Sequence, residues 1–129
     1  MILVDTSIWI DHLRSGNPSL ARLLGSSAVV AHPWVTGELA LGNLSRREEV
    51  IGLLRGLPQA MVAENDEVLR LIEQDVLYGA GIGYVDAQLL AATRLTPDTT
   101  LWTRDKRLSA VAARLGLDFQ PTAHSESRP

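Results

Sequence analysis

The sequence predicts an α/β domain with a largely parallel β-sheet. Short apolar segments typical of buried strands alternate with segments of helical periodicity along the chain. The first apolar segment, Ile2-Leu3-Val4, is continuously apolar, which is the pattern of a strand covered on both faces. A chain of 129 residues with 46% hydrophobic residues has the size of one domain. We therefore expect a single domain over residues 1–121 and a disordered polar tail over residues 122–129.

In the first half of the chain, turn residues and caps delimit six predicted elements. Thr6 or Ser7 can begin a helix, Gly25 ends the next helix, and Pro33 fits the first turn of a third. Ser45 has the capping-box spacing to the glutamate three residues later, which predicts a fourth helix. The predicted elements are a strand at 2–5, helices at 6–13 and about 20–25, a strand at 28–31, and helices at 33–42 and 45–55.

The second half of the chain continues the alternation. Its clearest helix carries Val68, Leu69 and Ile72 at helical spacing. The glycines of segment 79–83 do not have the GxGxxG spacing of a dinucleotide-binding loop, so a plain loop or hinge is expected. The predicted elements are a weak strand at 59–62, a helix at 65–78, a helix at 85–93, a strand at 99–103, a helix from 105 to 116 and a short edge strand at 117–119.

Four acids, Asp5, Glu38, Asp86 and Asp105, lie beside or inside segments that otherwise have the pattern of buried core. Asp5 and Asp105 follow predicted strands, and ligands bind at the carboxyl ends of strands in open α/β sheets. Glu38 and Asp86 fall on the apolar stripes of two predicted helices, in the half where the helix dipole favours negative charge. Because isolated buried carboxylates are costly, one shared site for a divalent metal is the favoured explanation. The chain is thus a candidate metal-dependent enzyme.

Each acid also has a simpler structural explanation. The two acids that follow strands could each cap the next helix. The two helical acids could each pair with an arginine, for which Arg104 and Arg14 are candidates. One shared cause accounts for all four positions together, so we favour the joint site.

Composition excludes several other classes of function. The net charge of -3 argues against a passive nucleic-acid-binding module, and the absence of cysteine excludes disulfides and thiolate chemistry. The three histidines lack metal-ligand spacing, and Ser7 has no obvious histidine partner. Oxygen ligands alone favour magnesium or manganese over zinc. No apolar run approaches the roughly 20 residues of a membrane span, and the first residues have a strand pattern rather than that of a signal peptide.

The segments around the four acids resemble those of PIN-domain ribonucleases and, more narrowly, of VapC toxins from bacterial toxin–antitoxin pairs. The acids are separated by 33, 48 and 19 residues, in the family's order, and the resemblance extends to about Phe119. The four segments are Leu3-Val4-Asp5-Thr6-Ser7, Gly37-Glu38-Leu39, Gly83-Tyr84-Val85-Asp86-Ala87 and Leu101-Trp102-Thr103-Arg104-Asp105.

The resemblance implies a three-layer α/β/α sandwich around a central, mostly parallel sheet. It also implies Mg²⁺ or Mn²⁺ in an acidic pocket and RNA as the substrate, with transfer RNA as one candidate. Among the matching residues, it implies that Asp5, Glu38, Asp86 and Asp105 are catalytic, that Asp5, Asp86 and Asp105 bind metal, and that the Thr6 and Thr103 hydroxyls support the site.

The resemblance further implies a cytoplasmic protein that forms homodimers and binds a VapB-type antitoxin. The C-terminal segment of that antitoxin would cover a groove of the toxin. The leucine-rich second helix and the face around Trp9 are candidate contact surfaces, unless they belong to the core.

Three other functions are considered beside the ribonuclease. A phosphoacceptor receiver domain would need two adjacent acids after the first strand, which Asp5-Thr6-Ser7 lacks, and a lysine at a late strand end, whereas Lys106 follows an acid. A non-catalytic metal-binding interaction module and a PIN nuclease that acts on DNA remain open alternatives.

Overall fold

Three parallel strands form the centre of the structure, a computed structural model that describes residues 1–121. The strands are β1 (Ile2–Val4), β2 (Val29–Val30) and β3 (Thr100–Trp102), and the sheet order is β2-β1-β3. Residue 2 of the central strand lies opposite Val29 on one side and Thr100 on the other. The predicted α/β class with a parallel sheet is therefore confirmed. The predicted tail at 122–129 lies outside the described residues.

Helices cover both faces of the sheet, as the three buried residues of β1 require. The result is the expected three-layer α/β/α arrangement. Within residues 1–121 the helices are α1 (Thr6–Ser15), α2 (Pro18–Gly25), α3 (Pro33–Ala40), α4 (Arg47–Gly56), α5 (Asn65–Gln74), α6 (Tyr84–Leu95) and α7 (Lys106–Arg114).

The central strand β1 and helix α6 contribute many of the buried residues of the core. Leu3 and Val4 of β1 are completely inaccessible to solvent. In α6, every residue from position 87 to position 93 is buried. These two elements lead directly to Asp5 and Asp86, so the core fixes the backbone from which both acids project.

Both predicted edge strands are reduced to single bridge positions. Gln59 pairs in parallel with Ala31 next to β2, and Asp118 pairs in parallel with Leu101 of β3. Beyond the first bridge the chain leaves the sheet, because the Met61 N–H donates to the Thr96 hydroxyl (2.9 Å) instead of a neighbouring strand. The extra chain segments were thus placed correctly, but their strand lengths were overestimated.

Several helix boundaries differ from the prediction by one to four residues, and the structure explains two of them. Helix α4 begins at Arg47, after a left-handed residue at Arg46 and without a side-chain cap, so the capping box predicted from Ser45 is wrong. The Arg47 guanidinium instead donates to the carbonyl oxygens of Ala40 and Gly42 at the end of α3. Helix α5 ends at residue 74 rather than 78, because Val76 has a positive φ of 53°.

Helix α3, which carries Glu38, is capped by an imidazole. The His32 Nδ1 accepts a hydrogen bond from the Trp34 N–H (3.0 Å), which satisfies one of the donors exposed at a helix start. The ring is completely buried, and burial lowers the pKa of His32 below its ordinary value. The neutral ring can accept at Nδ1, so burial preserves the cap.

Candidate active site

Asp5 is the best-anchored acid of the site. It follows β1 directly, is only 8% exposed, and its N–H donates to the Trp102 carbonyl of β3 (2.9 Å). Its Oδ1 accepts from the Thr6 N–H (2.8 Å), and its Oδ2 accepts from the hydroxyls of Thr103 (2.7 Å) and Ser7 (3.0 Å). Three donors therefore satisfy the buried carboxylate of Asp5. Asp5 also caps α1, so this simpler explanation is correct as well.

Thr103 connects Asp5 to Asp105. Its Oγ1 donates to Asp5 and accepts from the Asp105 N–H (3.0 Å). Asp105 caps α7, because its Oδ1 accepts from the N–H groups of Arg107 (2.9 Å) and Leu108 (3.0 Å). Asp105 is exposed, so its expected burial is wrong although its position at the strand end is correct. The capping leaves Oδ2 of Asp105 without a hydrogen-bond partner among residues 1–121.

Glu38 is also exposed, contrary to the expectation that it lies on a buried stripe. The buried residues of α3 are Val35 and Leu39, which form a stripe too narrow to include position 38. One carboxylate oxygen of Glu38 accepts from the Thr6 hydroxyl (2.6 Å). Since Thr6 follows Asp5, this hydrogen bond ties α3 to the end of β1.

Asp86 is half-buried in the first turn of α6. Its Oδ2 accepts from the Gly83 N–H (3.0 Å). Burial raises the pKa of Asp86, and the negative charges of Asp5, Asp105 and Glu38 raise it further, while the Gly83 hydrogen bond opposes them. All four acids therefore lie within one electrostatic neighbourhood.

None of the four acids forms an ion pair within the described part of the chain. Arg104, which was considered as a partner, binds Asp11 (3.0 Å), and the other ion pairs are Arg46–Glu49 and Arg94–Asp75. The alternative in which arginines neutralise Glu38 and Asp86 is therefore wrong for residues 1–121. In residues 1–121 the negative charge of these four acids is therefore not neutralised by ion pairs.

The donor set fits a hard divalent cation that keeps part of its water shell. Among residues 1–121, no three histidine, aspartate or glutamate side chains lie close enough together to enclose a metal ion in their present arrangement. Mg²⁺, however, is commonly held by one or two carboxylates together with several waters. Oxygen ligands without histidine or cysteine suit Mg²⁺ or Mn²⁺ better than zinc. The acids thus fit such a cation as an open site.

Ser7 is a residue of the site to which the sequence assigns no role there. The Ser7 hydroxyl donates to Asp5 and accepts from the Arg104 N–H (3.1 Å), so it connects the ends of β1 and β3. Its place two residues after a strand-end acid was the available signal. For Trp9 and Leu20, the sequence leaves open an antitoxin contact surface or the core; both are completely buried and belong to the core.

The glycine-rich loop at 79–83 brings a basic side chain to the site. Gly81 has a φ of +80°, and a Cβ at this position would lie 2.9 Å from Cδ of Arg107. The conformation and the close approach both require glycine here. Arg107 is the second residue of α7, two residues after Asp105, and its side chain packs against Gly81.

Comparisons with known proteins agree with this geometry. The family model described as "PIN domain" matches residues 2–114. The chain belongs to the PIN-domain family. This PIN domain is 50% identical over 117 residues to the protein named "Ribonuclease VapC32" in two strains of Mycobacterium tuberculosis, CDC 1551 / Oshkosh and ATCC 25618 / H37Rv. The match covers 91% of this chain and 94% of each relative, so the resemblance to VapC-type PIN ribonucleases is confirmed.

Replacing Asp86 tests the repulsion at the acidic edge. In the metal-free protein the raised pKa of Asp86 means that the unfolded chain releases this proton at lower pH than the native chain. The contribution of Asp86 to the free energy of unfolding therefore decreases as pH rises from its ordinary pKa of 3.8 through the raised pKa, and this destabilisation persists at neutral pH. We expect Asp86→Asn to raise the metal-free melting temperature, to weaken this pH dependence and to abolish cleavage.

The exposed acid Glu73 of α5 provides the matched control, Glu73→Gln, for which no such gain is expected. A lower metal-free melting temperature of Asp86→Asn together with intact RNA cleavage would refute the assignment of Asp86.

Replacing Thr103 by valine tests the support of Asp5. The substitution keeps the side-chain shape but removes the hydroxyl that joins Asp5 to Asp105, so metal affinity and activity should decrease about 10- to 100-fold, as for other residues that orient metal ligands. Thr100→Val on the same strand is the control, because the Thr100 hydroxyl has no hydrogen-bond partner among residues 1–121. Equal metal affinity of the two variants would show that the Thr103 hydroxyl has only a structural role.

Proposed function

We propose that this PIN domain is a Mg²⁺- or Mn²⁺-dependent endoribonuclease that hydrolyses RNA phosphodiester bonds. The observation that carries the proposal is the group of four electrostatically coupled acids without ion-pair partners in residues 1–121. The relatives named "Ribonuclease VapC32" support the choice of RNA over other phosphodiesters. Asp5 and Asp105 follow β1 and β3, Asp86 is in the first turn of α6, and Glu38 is in the last turn of α3.

The four acids have different roles in the proposal. Asp5, Asp86 and Asp105 hold the cation, with Asp5 as the fixed anchor because three hydrogen bonds restrain it. Asp86 and Asp105 each have one oxygen engaged by their own helix and keep the other available. A bound divalent cation supplies a Lewis acid for the phosphate oxygens and lowers the pKa of a bound water. Glu38 is exposed and restrained by Thr6, so it orients the attacking water and accepts its proton.

Basic side chains next to the acids support an anionic polymer as substrate. Lys106 and Arg107 begin α7 and Arg104 precedes it; all three are exposed, and Arg104 also forms an ion pair with Asp11. Arginine can bind phosphate through two parallel hydrogen bonds. Since the net charge of the chain is -3, attraction of RNA depends on such local positive charge. Unpaired loops, including those of transfer RNA, suit an open edge of this kind.

The proposal includes a biological role as the toxin of a toxin–antitoxin pair that inhibits translation in the cytoplasm. A groove of about 520 Å³ next to Glu38 is a suitable place for a VapB-type antitoxin segment. Ile10 and Leu13 line it and are exposed on α1, so an apolar segment would bury them. In residues 1–121, none of the helices combines the length and apolarity required to cross a bilayer. Homodimer formation is part of the proposal on the basis of the resemblance alone.

Cleavage of RNA by the purified chain tests the activity. We expect total RNA and a short unpaired RNA to be cut with Mg²⁺ or Mn²⁺, and not with a chelator. Asp5→Asn should reduce the rate of cutting at least about a hundredfold, as expected for loss of a central electrostatic group. Asp66→Asn on the surface of α5 should not affect the rate. Mapping of new RNA 5′ ends in cells after brief expression then identifies the substrate.

The same assay separates the alternatives. Cutting of single-stranded DNA but not RNA would indicate a DNA-directed PIN nuclease. Metal binding without cutting of either polymer would indicate a non-catalytic interaction module.

A further inference from the structure

A pair of aromatic side chains lies at the acidic edge and has no role in the mechanism above. The rings of Trp34 and Tyr84 are 5.9 Å apart between centroids, with their planes inclined by 43°. Trp34 is in the first turn of α3, one turn before Glu38, and Tyr84 is the first residue of α6, two residues before Asp86. The pair therefore bridges the two helices that bring Glu38 and Asp86 to the site.

Both rings are partly open to solvent. Trp34 is 37% exposed and Tyr84 is 39% exposed, whereas the other two tryptophans, Trp9 and Trp102, are 0% and 5% exposed. All three tryptophans of the sequence lie in the described residues. Trp34 is thus the tryptophan that a ligand at the site can reach.

The buried side chains of Gln88 and His32 contact the two rings and restrain them. The Tyr84 hydroxyl donates to Asn65 and accepts from Nε2 of the buried Gln88 (3.1 Å). On the other side, the buried His32 ring packs edge-on against Trp34 with 6.3 Å between centroids. The pair is therefore a restrained surface, and little conformational freedom is lost when a flat ligand packs against it.

We propose that Trp34 and Tyr84 form a nucleobase-binding subsite, in which an unpaired base adjacent to the cleaved phosphate stacks on Trp34. The inclination of the two rings leaves Tyr84 as a side wall rather than a second stacking face. This inference rests on the proposed ribonuclease function, because its occupant is part of the RNA. Every base offers a π-face, so the subsite favours unpaired RNA over duplex without selecting one base.

The continuity of the pair with the acidic edge favours RNA over a second copy of this chain as the occupant. A base on Trp34 would place its neighbouring phosphate towards Glu38 and Asp86, the acids one turn and two residues away. The subsite thus gives the enzyme a means to position the scissile bond by holding the neighbouring base. The four acids themselves contribute no contact to a base.

Tryptophan fluorescence tests binding independently of cleavage. In an Asp86→Asn background, titration with a short unpaired RNA should quench tryptophan emission, and the same oligonucleotide with abasic residues should quench it much less. Adding Trp34→Phe should remove the quenching, because Trp9 and Trp102 are buried. Equal quenching by the abasic RNA, or quenching that persists in Trp34→Phe, would overturn the proposal.

Cleavage kinetics test the function of the subsite. Trp34→Leu should raise KM about 5- to 100-fold, the range expected for loss of one base–aromatic stack, and Trp34→Phe should retain most of the affinity. One abasic position in the RNA should raise the KM of the wild type by a similar factor. It should not raise the KM of Trp34→Leu any further. Tyr78→Leu is the control, since Tyr78 is an exposed aromatic outside the pair.

The possible failures are distinguishable. An identical abasic penalty in wild type and Trp34→Leu would overturn the subsite while leaving the nuclease intact. Dissociation of a dimer by Trp34→Leu, with unchanged dependence on the abasic position, would assign the pair to a contact between copies of the chain. Base-dependent quenching without any cleavage by the wild type would support the subsite and refute the proposed nuclease.

Discussion

Repulsion between carboxylates at one edge of the sheet is the constraint on which the site depends. Four acids share one electrostatic neighbourhood, and among residues 1–121 none has an ion-pair partner. Backbone N–H groups and hydroxyls compensate part of the charge, most completely at Asp5. At Asp86 a single backbone hydrogen bond opposes both burial and the other three charges, and the pKa is raised. A cation that binds at this edge would relieve the repulsion between the carboxylates. This relief would contribute to the affinity for the cation.

The parallel sheet explains how residues distant in sequence come together. Asp5 and Asp105 follow the neighbouring strands β1 and β3, whose parallel pairing brings both carboxyl ends to one edge. The hydroxyls of Ser7 and Thr103 connect these ends through hydrogen bonds to Asp5. Glu38 joins through Thr6, and Asp86 through the first turn of the buried helix α6. The core thus positions the backbone, while short polar side chains set the orientation of the acids.

The sequence predicted the strand ends well because continuous apolar runs and the acids that follow them are local signals. The exposure of Glu38 could not be predicted in this way, since periodicity shows an apolar stripe but not how much of it the neighbouring elements cover. Similarly, the start of α4 depends on Arg47, which binds carbonyl groups at the end of α3. The strand pairing at Gln59 ends early because the Met61 N–H binds the Thr96 hydroxyl. The contact of Trp34 with Tyr84 joins residues 50 positions apart and has no local signal.

The most direct test of this account is the melting temperature of the purified protein as a function of Mn²⁺ concentration. Because a ligand that binds only the native state stabilises it by mass action, the melting temperature should rise steadily up to about millimolar Mn²⁺. The rise should be strongly reduced in Asp5→Asn and return to zero when a chelator is added. An unchanged melting temperature at millimolar Mn²⁺ would contradict the claim that a cation relieves the repulsion between these acids.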